Sequence, residues 1–148
     1  MRRMSRSRAW WGCMVLLGGL GVALAGGTPA AAQSMIAVSL VQQDASDCQN
    51  SNVSDDNGIK TSGVVYLSRN ADGTTSVKVG MTVKANTTYH FFLKCVRLLG
   101  DIKTDDEGIG EGIFAFATNS VGNVFAFDMY PEGAPAGNKY QSVQVKFQ

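Results

Sequence analysis

The sequence predicts an all-β fold: an antiparallel β-sandwich, immunoglobulin-like or transthyretin-like, with about seven strands and one disulfide. Three observations carry this reading. After residue 33 the apolar residues recur with period two, which places alternate side chains on opposite faces of a sheet. No segment of that region sustains an apolar i, i+3, i+4, i+7 pattern over ten residues. Clusters of Asn, Asp, Gly and Ser separate the apolar runs, as turns between short strands do.

The first segment reads as an address. Arg2, Arg3, Arg6 and Arg8 form a basic head, Trp10 to Ala25 is apolar, and small residues follow up to Ala32. This is the three-part pattern of a secretory signal peptide, with cleavage between Ala32 and Gln33 and with Ala30 and Ala32 at the −3 and −1 positions. The sixteen-residue apolar run contains four glycines, and a bilayer span needs ~20 apolar residues. The expected organisation is therefore a signal peptide over 1–32 and one β-sandwich domain over 33–148, exported to a periplasm or beyond the cell, with no membrane span after cleavage.

The strands follow in order. Met35 to Gln42 puts Ile36, Val38 and Leu40 on one face. Gly63 to Ser68 is β-branched and aromatic, and the turn cluster Arg69 to Gly73 leads into Thr74 to Lys84. There Val77, Val79, Met81 and Val83 oppose Ser76, Lys78, Thr82 and Lys84. These two segments read as a hairpin. Ala85 to Thr87 turns the chain into Thr88 to Leu98, with Tyr89, Phe91, Leu93 and Cys95 on one stripe and His90, Phe92 and Lys94 on the other. Ile113 to Ala117 and Val124 to Met129 flank a polar turn and read as a second hairpin. Tyr140 to Phe147 closes the set, with Val143, Val145 and Phe147 on one face. The sandwich has no core tryptophan, the immunoglobulin hallmark, because Trp10 and Trp11 lie in the leader.

Cys13 also falls in the leader, which leaves Cys48 and Cys95. In an oxidising compartment an even pair reads as a disulfide. Two cysteines with a single histidine fall short of a four-ligand zinc pattern. The polar stretch Asp44 to Gly58, pinned at Cys48, reads as a connector or as a binding loop.

Charge and motif content set the function classes. From Gln33 onward nine basic residues face twelve acidic ones, a net of −3, and nucleic acid as a partner requires a basic face. Catalysis by nucleophile and base needs a proton acceptor such as histidine. The one histidine, His90, falls on a polar stripe and reads as a solvated surface residue. No Gly-x-Ser-x-Gly elbow occurs, and Gly108, Gly110 and Gly112 are spaced wrongly for a phosphate loop. The expectation is an exported, non-catalytic module that needs no cofactor and binds an envelope or surface ligand. The alternatives are a self-assembling pilin-like subunit, a weak calcium-binding module and a small hydrolase. The calcium alternative rests on Gly100 to Gly112, read as a loop. It carries Asp101, Asp105, Asp106, Glu107 and Glu111 among glycines free to fold oxygens around a hard cation. The spacing is not that of an EF-hand, and such a loop would bind in the range of roughly 10⁻⁴–10⁻³ M.

Overall fold

The computed structural model describes residues 34–56, 60–134 and 139–147. The expected leader, with the cleavage expected between Ala32 and Gln33, lies outside the described residues. Among the described residues ten antiparallel strands form: β1 (Met35–Gln42), β2 (Thr61–Arg69), β3 (Thr74–Thr82), β4 (Thr88–Leu93), β5 (Arg97–Lys103), β6 (Ile109–Ala117), β7 (Val124–Phe125), β8 (Phe127–Pro131), β9 (Tyr140–Ser142) and β10 (Val145–Lys146). Eight of them form one sheet in the order β5-β4-β8-β9-β1-β2-β3-β6, and β7 pairs with β10 in a small second sheet. The fold is all-β, as the alternation predicts.

β1 joins the two halves of the large sheet. It pairs with β2 along most of its length, but only Leu40 to Gln42 reach β9. The sheet rolls until its terminal strands approach each other. There the Arg97 guanidinium donates to the Ala115 carbonyl at 3.4 Å. The result is a sandwich of two four-stranded halves, closed along one side like a barrel.

Pairing register explains the core. Val38 lies opposite Val65, Val65 opposite Val79, Leu67 opposite Val77 and Val77 opposite Phe114. On the other half Tyr89 faces Ile102 and Leu93 faces Phe127. All of these except Phe114, which is half-buried, are buried. A slip of one residue would turn every one of them outward, so the apolar alternation fixes the register. Phe91 stacks on Phe127 at 5.2 Å and on Phe114 at 5.4 Å, making a column of three rings through the interior.

Several sequence expectations change. The segment Thr88 to Leu98 is not one strand. It breaks at Lys94–Val96 into the β4–β5 hairpin, with Cys95 at a φ of 59°. Cys95 is therefore an exposed turn residue rather than part of the core stripe. The second expected hairpin does not form: β6 pairs with β3, β7 with β10, and β8 with β4 and β9. Tyr140 to Phe147 divides into β9 and β10. Gly100 to Gly112 is mostly strand, with only Thr104 to Gly108 outside β5 and β6.

The glycines in that stretch have packing roles. A Cβ on Gly100 would stand 2.6 Å from Phe114 Cε1, and one on Gly112 would stand 2.6 Å from Phe114 Cε2. The two glycines seat the Phe114 ring in the seam between β5 and β6. Gly108 has a φ of 85°, and a Cβ there would come within 2.2 Å of the Val83 carbonyl oxygen. Both conditions select glycine.

Candidate functional site

Five carboxylates carried the calcium expectation, and the fold places them on β5, on β6 and on the turn between the two. Asp101 points outward from β5 and meets His90 Nδ1 at 2.7 Å. Asp105 accepts the backbone N–H groups of Glu107 at 3.0 Å and Ile109 at 2.7 Å, which closes the β5–β6 turn. Asp106 and Glu107 are exposed on that turn. Glu111 lies exposed on β6, opposite Gly80. Among the described residues, no three acidic, histidine or cysteine side chains converge as a metal centre would need.

Cys48 and Cys95 form a disulfide with their Cα atoms 5.6 Å apart. It ties the segment after β1 to the β4–β5 turn, and a buried polar anchor lies beside it. Asn50 is fully buried in the left-handed conformation, with a φ of 52°. Its amide nitrogen donates to the Ser142 carbonyl at 2.8 Å and to the Phe127 carbonyl at 3.3 Å. The Lys94 ammonium donates to Asn50 Oδ1 and, at 2.7 Å, to the Ala45 carbonyl. Buried Gln141 completes the clamp: its Oε1 accepts from Ala45 N at 2.9 Å and its Nε2 donates to Ala45 O at 3.1 Å. The polar stretch after β1 is thus held over the outer face of β4, β8 and β9, which favours the connector reading of its buried half.

Burial dominates the electrostatics of this anchor. Desolvation lowers the Lys94 ammonium below the ordinary lysine value, although Asp128 and Asp47 favour its charge. Desolvation likewise raises the Asp128 carboxyl, against the opposing pull of Lys94. Asp47, in contrast, is held low by accepting the backbone N–H of Ser51 and that of Gln49.

Where the clamp ends, the outer face stays open and carries an aromatic ledge. Phe92 on β4 stacks with Tyr130 on β8, centroids 5.0 Å apart and planes 16° from parallel. His90 meets both rings edge-on, at 6.4 and 6.5 Å. The Lys139 ammonium lies 5.4 Å from the centre of Tyr130. Leu98, opposite Phe92 in register, is 46% exposed. His90, Phe92, Tyr130 and Lys139 are half-buried. The ledge crosses β5, β4 and β8 to Lys139, just before β9, with apolar ring edges between a carboxylate–imidazole pair and an ammonium.

Sequence reading missed this ledge. It placed His90, Phe92 and Lys94 on one stripe but drew no site from them, because Tyr130 and Lys139 join only through the β4–β8 pairing. His90 is also not a simply solvated residue, since Asp101 and two rings engage it. Comparison of the chain with known protein families, with curated proteins and with solved structures gives no match.

Proposed function

We propose that the chain is exported through the 1–32 leader, cleaved before Gln33, and acts outside the cytoplasm as a non-catalytic module binding a cell-envelope glycan. The observation that carries the binding reading is the Phe92–Tyr130 stack, flanked by the His90–Asp101 pair and Lys139 on an open sheet face. Sugar rings present C–H edges to aromatic carbons and hydroxyls to charged groups, and this ledge offers both kinds of contact. Partly exposed aromatic residues of this kind are enriched at recognition surfaces. The non-catalytic reading is supported by how the candidate groups are used. Cys48 and Cys95 are joined, and Lys94 holds the polar loop. Export is supported by the leader pattern and by a disulfide, which persists in oxidising compartments.

Co-sedimentation with purified peptidoglycan tests the binding. The wild-type protein should pellet with it, and Phe92→Ala plus Tyr130→Ala should pellet at least tenfold less. An equally bound double variant, or a wild-type protein that stays in the supernatant, overturns the glycan reading. Intact-mass analysis of the exported fraction should show a chain starting at Gln33, and one that retains Met1 refutes the export step.

A further inference from the structure

The opposite half of the sandwich also has an open outer face, and its character differs. Across β1, β2, β3 and β6 the outward positions alternate serines and threonines with apolar residues, and the large apolar side chains Tyr66, Ile109 and Ile113 stand exposed among them. Ile113 is 80% exposed, and Met35, at the edge of the same face, is 67% exposed. An antiparallel sheet normally sets polar side chains on its wet face. Large apolar side chains left exposed together on such a face mark an interaction surface.

Two charges stand within it. Lys78 lies opposite Ile113 on β3, and Glu111 lies opposite Gly80 on β6. Both are exposed, and among the described residues neither makes a hydrogen bond or ion pair. They sit one strand apart and two residues along. With strands about 4.8 Å apart and residues spaced about 3.3 Å along each strand, their backbones are about 8 Å apart. A two-fold axis lying in the face and bisecting that separation sets each Lys78 over the Glu111 of a second copy. The same axis passes about 1 Å from the Ile113 position by that spacing, so the most exposed apolar side chain meets its own counterpart. Gly80 lies equally near the axis, and a Cβ there would meet nothing within 4 Å, which leaves clear ground beside the paired isoleucines.

We propose that the outer face of β1, β2, β3 and β6 is an isologous interface with a second copy of this chain. The face is self-complementary in charge and apolar at its centre, as a two-fold contact requires. Four strands of about seven residues project roughly 450 Å² per copy. That is below the ~800 Å² per partner of a standard complex, so the dimer belongs to the weak class and forms at micromolar to millimolar concentration.

Sedimentation equilibrium of the exported protein over that range is the test. The wild type should show a concentration-dependent monomer–dimer equilibrium. Ile113→Lys should weaken it at least tenfold, as should Lys78→Glu, which faces Glu111 with a like charge. Lys78→Glu combined with Glu111→Lys should restore association to within a few-fold of wild type. All three positions are on the surface, and unchanged far-UV spectra and melting temperatures would establish that the variants fold. A wild type monomeric at one millimolar overturns the proposal. So does a dimer that Ile113→Lys leaves intact, or a double reversal as weak as Lys78→Glu alone.

Discussion

Gly100→Ala isolates the seam between β5 and β6. The three atoms nearest a new Cβ all belong to the Phe114 ring, at 2.6, 3.3 and 3.7 Å. Ordinary contact begins near 3.4 Å, so the ring must retreat by about 0.8 Å. Phe91 stacks on that ring at 5.4 Å and blocks part of its retreat. Overpacking of this kind costs about 1–3 kcal/mol. Gly100 lies outside the left-handed region, so alanine fits its backbone and recovers about 0.4–1 kcal/mol by restricting the unfolded chain. The net expectation is a loss of about 1–2 kcal/mol, or several degrees in Tm. In a Phe114→Ala background the obstacle is gone and the sign reverses: Gly100→Ala should stabilise by about 0.4–1 kcal/mol. Urea denaturation of the four proteins, followed by far-UV circular dichroism, closes the double-mutant cycle. The expected coupling is about 1–3 kcal/mol. Additive effects within about 0.5 kcal/mol would refute the account of Gly100 as the seat of Phe114.

Three further outcomes follow from the disulfide and the polar anchor. Thiol labelling of the native protein should leave Cys48 and Cys95 unmodified until reduction, and Cys48→Ala plus Cys95→Ala should lose about 2–5 kcal/mol on unfolding, given a 47-residue separation; reactive thiols before reduction would contradict the pairing. Asn50→Ala strips the buried Lys94 ammonium of an acceptor and should cost about 2–4 kcal/mol, more than Lys94→Met, which leaves no buried charge behind; urea midpoints in the reverse order would refute the anchor. Burial raises the Asp128 carboxyl in the folded state, so native Asp128 holds its proton more tightly than unfolded Asp128 does. The wild type should therefore gain stability relative to Asp128→Asn as pH falls from 7 through the raised value, and lose that gain as pH rises again; unfolding free energies of both proteins at pH 7 and pH 4 with the opposite trend would show that Asp128 is not desolvated.

Period-two alternation makes strand existence and strand faces legible, because burial of one face is a local property of each segment. Met35–Gln42 and Thr74–Thr82 point Ile36, Val38, Val77 and Val79 inward as their spacing requires. Breaks in strands are less legible. Lys94 and Cys95 continue the alternation of β4, yet the chain turns there, because Lys94 is drawn to Asn50 and Ala45 and Cys95 to Cys48. These partners lie more than forty residues away. The glycines of 100–112 were misread for a related reason. Spacing alone reports their conformational freedom, whereas their use is set by Phe114, a ring delivered by register.

The candidate sites are illegible for a deeper physical reason. Alternation assigns each side chain to the inside or the outside, but it does not say which outside surface another segment will cover. Lys94 and His90 share one stripe of the alternation and look equivalent in sequence. The disulfide and Asn50 carry the polar loop over Lys94 and stop short of His90, so one becomes a buried anchor and the other joins an open ledge with Tyr130. On the other half of the sandwich no described segment lies over Tyr66 and Ile113, which stand exposed at 38% and 80%. Binding surfaces in such a fold are decided by the reach of its long connections. Lengthening the connection between Asn50 and β2 should therefore leave the ledge open, while removing the Cys48–Cys95 tether should free the loop to move across it.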